Sequence, residues 1–256
     1  MTSYERLYRF LSPLMPVHYR KIWRMLRRLC PGTEPSKRIL DVGGRKSPYT
    51  IGVNGQVTIV DLPRQSEVQR VLALGLNDEI LAQLSRNRSN IVELRLEDIT
   101  KTTCETETYD VVVSVEVIEH VPDDTAYLSQ IHRVLKRGGH FVLTTPNGQA
   151  KPNMNPDHVR HYRPAELETK LKETFCDVSV MGIVRQGFVH RHAIGGWVPQ
   201  LRNPASWIRM PWRIGMALLA NLLEGHGPVP TDRANQLFAI ARKPIIPKQG
   251  EASDIS

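Results

Sequence analysis

From Lys37 onward the chain repeats one texture. "KRILDVG", "QVTIVD", "NIVELRLED", "YDVVVSV" and "HFVLTTPNG" are short apolar runs rich in β-branched residues, separated by helix-compatible stretches. Runs that are apolar almost throughout suit strands covered on both faces, and their alternation with helices predicts βαβ units around a parallel sheet. Farther along, "CDVSVMGIV" reads as a sixth strand and "NQLFAIARKP" as a seventh. In "DTAYLSQIHRVLKRGG" the residues Leu128, Ile131, Val134 and Leu135 form a helical stripe, with basic residues in the last turn and Gly138 placed to end it. A further helix is expected from Pro164 to Phe175, with proline in its first turn.

The flanking segments differ in character. Residues 1–36 hold Arg6, Arg9, Arg20, Lys21, Arg24, Arg27 and Arg28 against Glu5 and Glu34, a large share of the formal net charge of +8. Within them "VHYRKIWRMLRRL" spaces Ile22, Met25, Leu26 and Leu29 as one face of a basic amphipathic helix, ended by "CPG". Such a cluster suits an anionic membrane surface, nucleic acid or acidic substrate as well as it suits a solvated helix face. Residues 188–231 carry Trp197, Trp207 and Trp212 and read as an insertion covering an acceptor site or touching a membrane; residues 245–256 read as a loose tail. The core is thus expected over 37–187 and 232–244. Cys30, Cys104 and Cys176 are odd in number and not spaced as metal pairs, which points to a reducing compartment. The N-terminus lacks the order of a signal peptide, and "IGMALLANLL" is about half the ~20 residues a membrane span requires. The expected location is cytoplasmic, extending to the membrane surface.

"RILDVGGRKSPYT" is a strand ending in Asp41, then Gly43 and Gly44 in a turn. Glycines there let backbone approach a ligand at the carboxyl end of the strand, where open α/β sheets bind nucleotides. Asp61 ends the next strand, 20 residues after Asp41, a distance at which an acid can accept both ribose hydroxyls. A dinucleotide loop would need glycines where Arg45 and Pro48 stand, so a pyrophosphate site is not expected.

"ILDVGG", the acid Asp61, "LEDIT" and "YDVVVSVEVIEHVPD" through "LSQIHRVLKRGGHFVLTTPN" together resemble class I S-adenosylmethionine-dependent methyltransferases, over residues 37 to 185 and the last strand. The resemblance implies a Rossmann-like, seven-stranded, mostly parallel sheet with helices on both faces and an antiparallel last strand. It implies that Asp41, Gly43 and Gly44 sit by the methionine part of S-adenosylmethionine, that Asp61 with Leu62 holds the ribose, and that Asp98 with Ile99 holds the adenine. Arg45 stands where the family has a second glycine; it either pairs with the cofactor carboxylate or faces solvent.

Methyl transfer from a sulfonium is an in-line displacement, to which positioning in a water-poor site contributes much. A hydroxyl acceptor also needs its proton removed, by a base or by a metal that lowers its pKa. "SVEVIEHVPDD" supplies the candidates: a helical turn after the fourth strand would put Glu116, Glu119 and His120 on one side, cut short by Pro122. With "NPDHVRHYRP" downstream, the pattern resembles metal-dependent 2′-O-methyltransferases of small-RNA 3′ ends and the O-methyltransferases of quinone biosynthesis. That resemblance implies a divalent ion, Mg²⁺, Mn²⁺ or Zn²⁺, on Glu116, Glu119, His120 and His158. In metal-free relatives Glu116 instead lies near the cofactor's amino group and His120 is a pocket residue or base, while His161 is an alternative ligand or separate base. The expected activity is O-methylation of a small-molecule, glycan or lipid-linked hydroxyl. RNA ribose methylation is the competing enzyme reading, and a non-catalytic membrane or binding protein of the same fold is the third.

Overall fold

A computed structural model of the chain describes residues 1–32, 36–44, 47–62, 87–150, 155–187, 189, 204–224, 227 and 229–245, leaving the side chains of 204–209 undescribed. The seven strands are β1 (Arg38–Val42), β2 (Gln56–Asp61), β3 (Ile91–Leu96), β4 (Tyr109–Val115), β5 (Leu135–Pro146), β6 (Cys176–Arg185) and β7 (Ala234–Arg242). They form one sheet in the order β3-β2-β1-β4-β5-β7-β6. The pairings from β3 through β5 are parallel, and β7 runs antiparallel to both β5 and β6. The order reverses between β1 and β4, which opens a crevice at the carboxyl ends of those strands.

Successive residues of a strand face opposite sides, and both sides are covered. On one side Leu40, Val42, Val60, Val112, Phe141 and Leu143 pack against α3 (Asp124–Val134) and α4 (Pro164–Lys172). On the other, Ile39, Val57, Ile59, Val111, Val113 and Val142 pack against Ile22, Trp23 and Leu26 of α2 (Val17–Leu29). Ile22 and Leu26 have no exposed surface, and each such burial contributes roughly 1.5–3 kcal/mol. The Trp23 indole N–H donates to the Ile51 carbonyl at 3.2 Å, tying α2 to the 3-10 turn Pro48–Thr50 in the β1–β2 connection. The basic N-terminal helix is therefore a layer of the core, with Arg28 exposed on its outside and Arg20 half-buried, where burial lowers its pKa. Two further helices complete the described chain, α1 (Ser3–Phe10) before α2 and α5 (Pro204–Leu223) between β6 and β7.

The helix read through Gly138 stops at Val134, and β5 begins at the next residue. Tertiary pairing overrides helix propensity here. Leu135 pairs with Tyr109, Lys136 bridges to Asp110 at 2.9 Å and Arg137 to Glu107 at 3.1 Å. Gly138 takes φ +73° inside the strand, where the β4–β5 register shifts, so its freedom serves an irregularity and not a helix cap. Likewise α4 ends at Lys172, and Phe175 is buried beyond it. Trp197 and the tail 246–256 lie outside the described residues, and Trp212 on α5 is 52% exposed.

Candidate active site

The ends of β3, β2, β1 and β4 stand side by side and bring Asp98, Asp61, Gly43 and Glu116 to one edge of the sheet. At β1, Gly43 has φ +71° and its N–H donates to the Val60 carbonyl at 2.8 Å, holding the turn against β2. A Cβ at Gly44 would lie 2.4 Å from the carboxyl carbon of Asp41. The second glycine is thus required by packing beneath the loop.

Asp41 is fully buried and faces inward. It accepts hydrogen bonds from the Tyr49 hydroxyl and the Thr50 hydroxyl, both at 3.1 Å, and Arg88 reaches Thr50 Oγ1 at 2.7 Å behind them. Burial lifts its pKa to about 6, against the lowering effect of Ser47, Arg88 and those hydroxyls. It shapes the loop from below. Tyr49, Thr50 and Arg88 carried no signal in the sequence, because they meet Asp41 only through the 3-10 turn and the segment entering β3.

At β2, Asp61 is half-buried and one carboxylate oxygen accepts from the Leu62 N–H at 2.8 Å; the Leu62 side chain is exposed. Asp98 caps the 3-10 turn Ile99–Lys101, accepting from the Thr100 N–H at 2.9 Å, while Ile99 is buried beside it. Arg45 lies outside the described residues.

The "EVIEH" stretch folds differently from the helical turn read in it. Glu116 adopts a left-handed φ of +56°, its N–H bonded to the Thr144 carbonyl, and the 3-10 turn begins only at Ile118. Glu116 thus precedes the turn that carries Glu119 and His120, yet it lies close enough to Glu119 to raise that group's pKa. Val121 is extended ahead of Pro122, as the steric demand of proline requires.

The segment 155–163 folds back over this turn. The Val159 N–H donates to the Glu119 carbonyl at 2.8 Å, Arg160 donates to the Val121 and Pro122 carbonyls and pairs with Asp124, and the Tyr162 hydroxyl donates to Asp124. These ties set His158 edge-on to His120, ring centres 4.6 Å apart. One ligand atom each from Glu119, His120 and His158 lie within 4.8 Å of one another. Three of the four residues expected around an ion are brought together; Glu116 is not in that cluster, and the Thr144 hydroxyl is 3.4 Å from its carboxylate.

The donor set is ordered. His120 Nδ1 lies 2.9 Å from the Asp157 carbonyl, which can only accept, so Nδ1 carries a proton and Nε2 is the nitrogen turned to the cluster as a ligand. His158 Nδ1 is 2.7 Å from His161 Nε2, placing His161 behind the cluster. Glu119 is buried; Thr145 donates to Oε2 at 3.1 Å, and Oε1 has no hydrogen-bond partner. Burial, reinforced by the nearby Glu116, raises the Glu119 pKa well above the ordinary range, and burial with two neighbouring imidazoles lowers that of His158. A divalent cation would satisfy the orphaned oxygen and offset the two like charges, so these residues fit such an ion. From the opposite layer, Tyr19 of α2 reaches the same edge, 5.7 Å from the Tyr49 ring, its pKa raised by burial and by Glu116.

A methyltransferase domain profile matches residues 16–178, 163 of the 256 residues. A protein of Mycolicibacterium smegmatis named as a probable S-adenosylmethionine-dependent methyltransferase is 36% identical over 112 residues, 41% of this chain and 42% of that protein. A ubiquinone biosynthesis O-methyltransferase of Vibrio cholerae is 28% identical over 180 residues, covering 62% of this chain and 69% of that one. The chain thus spans less than half the length of the first of these relatives. Among solved structures, a phosphoethanolamine N-methyltransferase of Haemonchus contortus bound to S-adenosylmethionine shares the fold at a TM-score of 0.56 and 18% identity, over 88% of this chain and 52% of that one. A methyltransferase of Archaeoglobus fulgidus does so at 0.51 and 17%, over 88% and 94%. The crevice at the sheet's switch point, the glycine turn over a buried aspartate and these matches together make the chain a member of the S-adenosylmethionine-dependent methyltransferase family.

Proposed function

We propose that this chain methylates a hydroxyl of a small-molecule, glycan or lipid-linked acceptor, with a divalent cation held by Glu119, His120 and His158. The observation that carries the reading is the convergence of those three donors within 4.8 Å, with Glu119 Oε1 buried and unpartnered, beside the cofactor edge. Likeness to O-methyltransferases of ubiquinone biosynthesis supports the choice of oxygen over nitrogen.

The bound cation would supply Lewis acidity, making a coordinated hydroxyl more acidic. The chain's own residues do the rest. Gly43 and Gly44 would let the loop approach the methionine part of the cofactor, and Asp61 would accept from its ribose. Thr145 and the Asp157 carbonyl fix the orientations of Glu119 and His120. The acceptor oxygen attacks the methyl carbon, the carbon–sulfur bond breaks with its electron pair going to sulfur, and the hydroxyl proton leaves to solvent, while His161, bonded to His158 Nδ1, orients that ring from behind.

Titration with Mn²⁺ and with S-adenosylhomocysteine, on wild type and Glu119→Ala, tests this. Wild type should bind one Mn²⁺ and Glu119→Ala should bind it at least about a hundredfold more weakly, while both bind S-adenosylhomocysteine within a few-fold. Tight cofactor binding by a wild type that takes up no Mn²⁺, Mg²⁺ or Zn²⁺ would remove the cation and leave the methyltransferase.

A further inference from the structure

The side of α5 turned away from the protein carries no charge over residues 214–223. Its inner side docks through small residues and an amide: Ala217 and Ala220 are buried, and the Asn221 amide donates to the Pro13 and Met15 carbonyls at 3.2 and 2.9 Å. Glu224 follows, pairing with Lys21 at 3.3 Å and accepting from the Arg185 N–H. The outer side presents Trp212, Leu218, Leu222 and Leu223, the last two 76% and 56% exposed. A water-facing helix surface normally carries charged and polar groups, and this one is leucine and tryptophan.

The turn that receives Asn221 leads straight back into α1, whose exposed residues have the same character. Leu7 is 57% and Phe10 80% exposed, and Arg6 and Arg9 stand exposed on the same helix. The acid of α1 does not face solvent. Glu5 is 1% exposed and accepts from Thr2 and from the Ser89 N–H and hydroxyl, so the surface charge of α1 is purely positive. Arg28 continues this sign at the end of α2.

We propose that α1 and the outer side of α5 seat this protein on an anionic membrane surface, Phe10, Leu7, Leu222 and Leu223 entering the headgroup boundary and Arg6 and Arg9 meeting lipid phosphates. Exposed apolar side chains flanked by arginines, with Glu5 and Glu224 both buried, are the chemistry of an interfacial contact. The association lies on the surface and does not cross it: among the described residues no helix is long and apolar enough to span. None of the residues it invokes is among those of the candidate site, so the inference is tested apart from the acceptor.

Co-sedimentation of the full chain with phosphatidylcholine vesicles, and with vesicles of phosphatidylcholine and phosphatidylglycerol in equal parts, tests it. Wild type should pellet with the anionic vesicles, less so at high salt and far less with the neutral ones. Phe10→Asp with Leu222→Asp should weaken binding by at least about tenfold, with thermal unfolding and S-adenosylhomocysteine affinity unchanged because both side chains are exposed. Arg6→Gln with Arg9→Gln should weaken binding to anionic vesicles alone, a readout that holds even if the aspartate variant folds poorly. Wild type remaining in the supernatant with both vesicles, or undiminished binding by both variants, would overturn the proposal. So would light scattering that shows a dimer split by Leu222→Asp, which would make this face an interface between copies.

Discussion

Replacing Asp41 with asparagine isolates the energetic effect of the buried carboxyl under the Gly43–Gly44 turn. Its pKa stands at about 6 in the folded chain, against an ordinary aspartate value near 3.8, because burial outweighs the donors around it. A carboxyl whose folded pKa is raised contributes most to stability below about 3.8, and that contribution is lost as pH climbs through about 6. Above that the ionised group weighs on the fold by a constant amount, roughly 3 kcal/mol from the size of the rise. The amide that replaces it does not titrate. The difference in unfolding free energy, variant minus wild type, should therefore increase by roughly 3 kcal/mol between about pH 4 and about pH 8 and then level off. Urea unfolding of both proteins at matched pH values measures it, and every other titrating group cancels in the subtraction. A difference that stays flat, or that falls with rising pH, would refute the reasoning and show that Arg88 and the hydroxyls keep the carboxylate ionised at little cost.

Tyr49→Phe removes one of the two hydroxyl donors to Asp41 and should lower stability by about 1 kcal/mol while moving the aspartate titration further up, read by the same subtraction. Gly44→Ala forces a methyl onto a carboxyl pinned by Tyr49 and Thr50; urea unfolding should show a loss of about 1–3 kcal/mol, and calorimetry weaker binding of S-adenosylhomocysteine. Ile131→Ala empties a fully buried site between α3 and the sheet and should cost about 2–5 kcal/mol, with cofactor affinity per folded molecule unchanged.

The strands were readable because each is a near-continuous β-branched run, which a doubly covered sheet demands and few other structures tolerate. The antiparallel seventh strand came from resemblance; nothing in "NQLFAIARKP" states its direction. Spacing misled where backbone conformation intervened. Glu116, Glu119 and His120 are three and four residues apart, yet the positive φ at Glu116 breaks the helical geometry on which their convergence depends. His158 was legible as a histidine near the site, but what carries it there is the backbone pairing of Val159 with Glu119 and the anchoring of Arg160, which no side-chain pattern encodes. Similarly, the arginines of α2 drew attention to its outer side, while Trp23, buried and bonded to Ile51, does as much to fix it on the sheet.

The place of β7 has a consequence for the order in which the chain can be made. Residues 234–242 are synthesised after the other six strands of this sheet, yet they lie between β5 and β6 and hydrogen-bond to both. Until they emerge from the ribosome, a nascent chain that already holds both neighbours has two strand edges with no partner, the condition under which chains associate wrongly. Folding on the ribosome can proceed from β1 through β5 as each parallel unit appears, but closure of the sheet awaits its final strand. A chain interrupted before Ala234 would thus expose the edges of β5 and β6 while β1 to β4 were already paired.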